Sequence, residues 1–308
     1  MARVLSTAVV LALLAATAVA FAITEGAKLE RSPIYATRVP EPVFSPDGSL
    51  KPVANISFRV RKRERIRVWI EDSKGRAVTQ LLSTRTIRPK ARVDLVWNGF
   101  SDSGIVQPDG VYRPVVKLFR SHRTIVLPSP IRIDTKPPTI TVKHPQYPIL
   151  SPDGDGRGDV FRVRYTMSEP GNAILLVRGR QEIFKRCCKT SGEFAWTARN
   201  DGHGLRPGRY LLSAAARDAA GNVSKGVPFA IAQIRYVVLA RPRVVVRPGG
   251  KFALRVSTDA PSVRWTLHGR SGVQPRGTLH FRAPKSQGVF RLYVEAAGHA
   301  AKCTVVVA

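Results

Sequence analysis

Apolar and polar residues alternate along most of this chain with a period of two. Asn55–Val60 (NISFRV), Ile66–Ile70 (IRVWI) and Val93–Trp97 each put every second side chain on an apolar face. So do Phe161–Thr166, Lys251–Ser257 and Val289–Glu295. That period is the mark of half-buried strands. Ile66–Ile70 and Ala77–Leu82 flank Glu71–Arg76, a Gly-containing loop, and predict a hairpin. Further strands are expected at 111–119, 123–127, 173–177, 183–186, 193–197, 208–216 and 227–231. Near the C-terminus the same reading gives 243–246, 263–267, 279–282 and 303–307. No amphipathic helix of three turns follows residue 25. Short strands with turn signals every 8 to 12 residues point to β-sandwiches.

The pattern repeats. Ser45-Pro46-Asp47-Gly48 returns as Ser151-Pro152-Asp153-Gly154, Trp97 as Trp196 and Tyr112 as Tyr210, at offsets of 106, 99 and 98 residues. A near-constant offset means a duplicated folding unit with insertions confined to loops. Trp97 and Trp196 are the expected core anchors, with the tyrosines packed beside them and their hydroxyls bonded at the edge. Pro137 and Pro138 stiffen the junction between the copies. The organisation read from this is an N-terminal export signal or membrane anchor over 1–24 and a linker over 25–41. Sandwiches follow over 42–136 and 137–233, and a C-terminal Ig-like β domain over 234–308. The fold class is all-β: tandem Ig-like β-sandwiches preceded by one N-terminal hydrophobic helix.

The N-terminus sets the expected compartment. Residues 4–24 carry no charge over 21 positions, and a helix needs about 20 to cross a bilayer. Ala18-Val19-Ala20 and Ala20-Phe21-Ala22 both fit a signal-peptidase site. Either a cleaved signal, leaving a secreted or cell-surface protein, or an uncleaved membrane anchor implies export with extracytoplasmic domains.

Composition then narrows the chemistry. Apolar residues make up 44%, enough for real cores, but aromatics only 7%, so the cores must be largely aliphatic. Lys and Arg number 50 against 21 Asp and Glu, a net charge of +29, and 36 of the 50 are Arg. Such a field attracts polyanions, although alternation alone would also decorate every exposed strand face with Arg. No helix-turn-helix, zinc knuckle or RNA-binding aromatic strand accompanies the charge, so nucleic acid is not an expected partner. Three cysteines, Cys187, Cys188 and Cys303, make no disulfide framework, and a bridge from Cys303 to the adjacent pair is one option.

The motifs resemble the Ig-like domains of the FlgD (flagellar hook-capping protein) type found in secreted and surface bacterial proteins. The resemblance lies in the Ser-Pro-Asp-Gly openings, the turn Asp72-Ser73-Lys74-Gly75 and Trp97-Asn98-Gly99. It continues in Pro108-Asp109-Gly110-Val111-Tyr112 and Pro207-Gly208-Arg209-Tyr210. It spans about residues 42 to 230, implies the sandwich fold and implies little about function.

One loop carries candidate metal chemistry. Asp153, Asp155 and Asp159 sit in a glycine-rich stretch, and three converging carboxylates suit calcium, which takes 6 to 8 oxygens. The competing reading is an Asx/Gly turn that starts the next strand. Arg157-Gly158-Asp159 also spells an integrin tripeptide, and Asn55 and Asn222 fit glycosylation sequons. The six histidines are scattered, and no nucleophile elbow or phosphate loop is present. The expected role is non-catalytic: an exported envelope protein whose Ig-like modules serve as spacer and binding surface for an anionic wall polymer or a protein partner. A membrane contact would come through the N-terminal segment if uncleaved. The alternative is a carbohydrate- or polymer-binding accessory of an envelope enzyme system.

Overall fold

The computed structural model describes residues 10–21, 31–48, 50–143, 147–186 and 188–308. Residues 10–21 are helical. Among the described residues no helix is long and apolar enough to cross a membrane. The remainder of the apolar N-terminal segment, and Cys187, lie outside the described residues. Everything else of regular structure is strand, arranged as tandem Ig-like sandwiches. The chain divides into two compact units, Met1–Thr135 and Lys136–Ala308.

In the first unit Ile34–Arg38, Ala54–Val60 and Arg92–Trp97 form one antiparallel sheet. The opposing sheet runs Val43–Phe44, Ile131–Ile133, Gly110–Leu118, Glu64–Glu71, Ala77–Ile87, with Arg123–Val126 also on Gly110–Leu118. Alternation builds the core directly. Ile56, Phe58, Val60 and Trp97 from one sheet meet Ile66, Val68, Ile70, Val116 and Ile133 from the other, all at most 1% exposed. Trp97 is braced edge-on by Tyr112 at 4.9 Å and Phe44 at 5.6 Å between ring centroids. Its indole N–H donates to the Phe100 carbonyl at 3.0 Å. The Tyr112 hydroxyl donates to the Pro108 carbonyl at 2.7 Å, pinning the entry to its own strand.

The second unit holds two cores. The first gathers Phe194, Trp196, Leu212, Ala214 and Ile234. Tyr210 repeats the tyrosine device, its hydroxyl donating to the Arg206 carbonyl at 3.0 Å. The second gathers Leu254, Leu279, Leu292, Val294 and Cys303 from sheets centred on Lys251–Ser257 and Gly288–Ala296.

Three features differ from the sequence reading. Ile34–Arg38, expected within the linker, is a strand on Ala54–Val60 with Ile34 buried. Its alternation is too short to register, and Ala36 breaks it at a positive φ of 51°. Phe161–Val177 is one strand of 17 residues, not the two separate strands expected at 161–166 and 173–177. Its first half pairs with Lys189–Trp196 in one sheet and its second half with Gly208–Arg217 in the other, so it crosses between the two layers. Gly171 sits at the crossing because a Cβ there would collide with the Arg217 carbonyl. Finally, Cys303 is a buried free thiol while Cys188 is disulfide-bonded, so the bridge does not reach Cys303. Burial pushes the Cys303 thiol pKa up, which leaves it an inert core residue.

Candidate functional site

The acidic loop of the second sandwich is built from its own backbone. Gly154, Gly156 and Gly158 adopt positive φ of 96°, 85° and 60°, the left-handed turns that only glycine takes without strain. These turns aim successive amides inward. The Asp159 carboxylate accepts two of them, from Gly154 at 2.9 Å and Gly156 at 2.6 Å, one on each oxygen. Asp153 accepts from the Asp155 amide at 3.2 Å and Asp155 from the Arg157 amide at 2.7 Å. The Ser151 amide closes the loop onto the Gly158 carbonyl at 3.0 Å.

Of the three carboxylates singled out in sequence, the structure brings together two. Asp153 and Asp155 converge, and their third neighbour is Asp259, from the turn after Lys251–Ser257 in the following domain. One carboxylate oxygen of each lies within 4.8 Å of the others. Asp159 instead holds the loop shut. Asp259 Oδ1 is buried with no hydrogen-bond partner among the described residues. Burial raises the Asp153 pKa, its bond from the Asp155 amide opposes that, and the charges of Asp155, Asp259 and Asp159 raise it further. Such an arrangement favours either a proton or a hard cation. No local signal in the sequence marks Asp259, which lies about a hundred residues downstream among ordinary turn residues.

Two short motifs are explained by structure. The Asp159 of the integrin-like tripeptide is consumed by loop amides. Asn222 is buried, and its side-chain amide donates to Asp218 at 2.8 Å, as part of the turn that starts at Asp218. Asn55 is exposed and donates to Glu41 at 3.2 Å.

The cationic residues occupy the outward positions of the strands. Arg59, Arg65, Arg67, Arg162, Arg164 and Arg255 point to solvent between buried neighbours, and Arg92 and Arg291 are exposed beside one. Ion pairs take up some of them: Arg76 with Asp72, Arg92 with Asp94, Arg132 with Asp134, and Arg162 with Glu193, at 2.7 to 3.1 Å. With 21 acidic residues against 50 cations, one-to-one pairing leaves most of the cations over.

No protein-family model and no curated relative matches the chain. Among solved structures it is similar to the three N-terminal domains of the bacteriophage RB49 outer capsid protein Hoc. The identity is 9%, over 88% of this chain and 98% of that one, at a TM-score of 0.30. The four N-terminal Ig domains of Dscam1 isoform 4.4 match at 12% identity over 89% of this chain and 73% of that one, with a TM-score of 0.20. A C-terminal fragment of intimin, solved with the intimin-binding domain of its translocated receptor, matches at 11% over 89% of this chain and 64% of that one, with a TM-score of 0.24. These comparisons do not show the hook-capping type.

Proposed function

We propose that this chain is a non-catalytic exported protein of the cell envelope whose Ig-like domains hold a basic surface against an anionic polymer. The observation that carries the reading is the excess of cations, 50 against 21 acids, set on outward strand positions that need no charge for folding. Arginine supplies most of that excess, and its planar fork suits phosphate and carboxylate groups better than a lysine point charge does. The uncharged N-terminal run supports export, by a cleaved signal or a retained anchor. Co-sedimentation of the purified protein with isolated cell wall tests the reading. Binding should be strong at low salt and fade as the Debye length shrinks. Retention unchanged at high salt would remove the electrostatic basis.

The buried, unpartnered Asp259 Oδ1 favours one addition. Calcium held by Asp153, Asp155 and Asp259 would join the acidic loop to the domain that follows it. Calcium should then raise the unfolding temperature of the wild type and leave Asp259→Asn unmoved. An equal shift in both proteins would leave the loop as a turn only.

A further inference from the structure

Seven cations of the first unit line two cavities. Arg31, Arg61, Lys62 and Arg123 line a cavity of about 480 Å³, into which Glu64 brings the one carboxylate among the described lining residues. Arg38, Arg59 and Arg92 line a second cavity of about 350 Å³, walled also by Tyr35 and Ser57, with no carboxylate in its lining. The two adjoin. Tyr35 of the second cavity lies cross-strand from Arg59, and the Arg61 guanidinium of the first covers the Tyr35 ring at 4.6 Å. The second opens on the outer face of the sheet formed by Ile34–Arg38, Ala54–Val60 and Arg92–Trp97, and the first continues from it at the sheet's end, where Glu64 and Arg123 of the opposing sheet, with Ser121, complete the wall.

Glu64 and Asp94 offset only part of the charge of the seven cations that line the two cavities. The Glu64 carboxylate is taken up by its own surroundings, accepting the Arg65 amide at 3.0 Å, the Arg120 amide at 2.7 Å and the Ser121 hydroxyl at 2.5 Å. Asp94 is bound to Arg92 alone among the groove cations, at 2.7 Å. A concave surface of one sign with low-dielectric walls concentrates field more than a convex face of equal charge.

We propose that this groove is the binding track for a linear, phosphate-bearing polymer. The inference rests on the anionic-polymer reading above and gives that reading an address. Three observations select this occupant. The walls are guanidinium-rich, and guanidinium grips phosphate through paired N–H donors. Tyr35 is the one aromatic ring among the described lining residues, and Arg61 already covers one of its faces, which is a poor platform for stacking successive nucleobases. Neither lining exposes a large hydrophobic side chain that could anchor an acidic peptide.

The test measures binding of the full chain to inorganic polyphosphate at low salt. The variant R38Q/R59Q/K62Q removes three exposed groove charges. The control R243Q/R255Q/R291Q removes three exposed charges from the C-terminal domain. The groove variant should weaken binding by about tenfold or more and flatten the log–log salt dependence by about 2, whereas the control should change affinity less than about twofold. Thermal unfolding of both variants at the wild-type temperature excludes loss of fold, and R38K/R59K, which keeps charge and loses the fork, should fall between. Equal weakening in both triple variants would overturn the groove while leaving the anionic-polymer reading intact. No binding by the wild type would overturn both. Tighter groove-dependent binding of polyglutamate or oligo-dT than of polyphosphate would overturn the phosphate assignment.

Discussion

The two repeats share a frame and differ in what they do with their carboxylates. In the first copy the opening loop closes through backbone bonds: the Gly48 amide donates to the Ser45 carbonyl at 2.9 Å and the Ser45 amide to the Lys51 carbonyl at 3.0 Å. In the second copy Asp159 closes the loop, and Asp153 and Asp155 are turned toward Asp259. The tryptophans differ as well. Trp97 donates to Phe100 and packs 4.9 Å from Tyr112, while Trp196 lies 6.4 Å from Tyr210 and its indole N–H finds no partner among the described residues. The frame is what both copies need to fold. The differences mark the places free to acquire function.

Core truncation should have the largest effect. Trp97→Ala and Trp196→Ala should each cost about 3–5 kcal/mol in chemical denaturation. The sharper comparison is with phenylalanine. Both substitutions lose the same volume, but Trp97→Phe also gives up a hydrogen bond whereas Trp196→Phe removes a donor that was already unpaired, so the former should be worse by about 1 kcal/mol. Equal costs would mean that the indole N–H at 97 contributes nothing.

The tyrosine devices should behave alike. Tyr112→Phe and Tyr210→Phe each delete one hydroxyl bond to the carbonyl four residues back and should each cost about 1 kcal/mol. A marked inequality would show that the two corners are not equivalent despite matching geometry.

Acid should separate the copies in opposite senses. Glu64 is buried, which raises its pKa, but bonds from Ser121, Arg120 and Arg65 outweigh that and hold it below the usual carboxylate range. A lowered folded-state pKa contributes stability above the unfolded value, lost as pH falls through the folded one. Asp153 is raised, so its contribution is present below the unfolded value and lost as pH rises through the folded one. Glu64→Gln should therefore destabilise near neutrality and converge with wild type in acid. Asp153→Asn, without divalent cations, should stabilise near neutrality and likewise converge in acid. Unfolding midpoints at a neutral and an acid pH decide both, and like signs for the two variants would contradict the assignment.

Most of the fold was legible because period-two alternation is a local signal, and Asn55–Val60 and Ile66–Ile70 show it without interruption. The strand at Ile34–Arg38 was not, since a left-handed Ala36 spoils the alternation in a five-residue element. The sheet crossing was hidden because Pro170-Gly171 has the chemistry of a turn, and only the nearby Arg217 backbone shows why glycine is needed there. The acidic loop was legible as a loop. Its third carboxylate was not, because Asp259 reaches it through tertiary packing that leaves no spacing to read. The same holds for the basic groove: alternation places Arg59 and Arg61 on an outer face, but their convergence with Arg31, Arg38 and Arg123 depends on strand pairing and on loops from the opposite sheet.

The central claim is that the outward cations bind an anionic polymer by charge. Its most direct measurement is the affinity of the full chain for polyphosphate as a function of salt. The account predicts a straight log–log plot falling steeply, with a slope of about −0.7 for each cation–phosphate contact and hence several units in all. A slope near zero, or affinity too weak to detect at low salt, would contradict it.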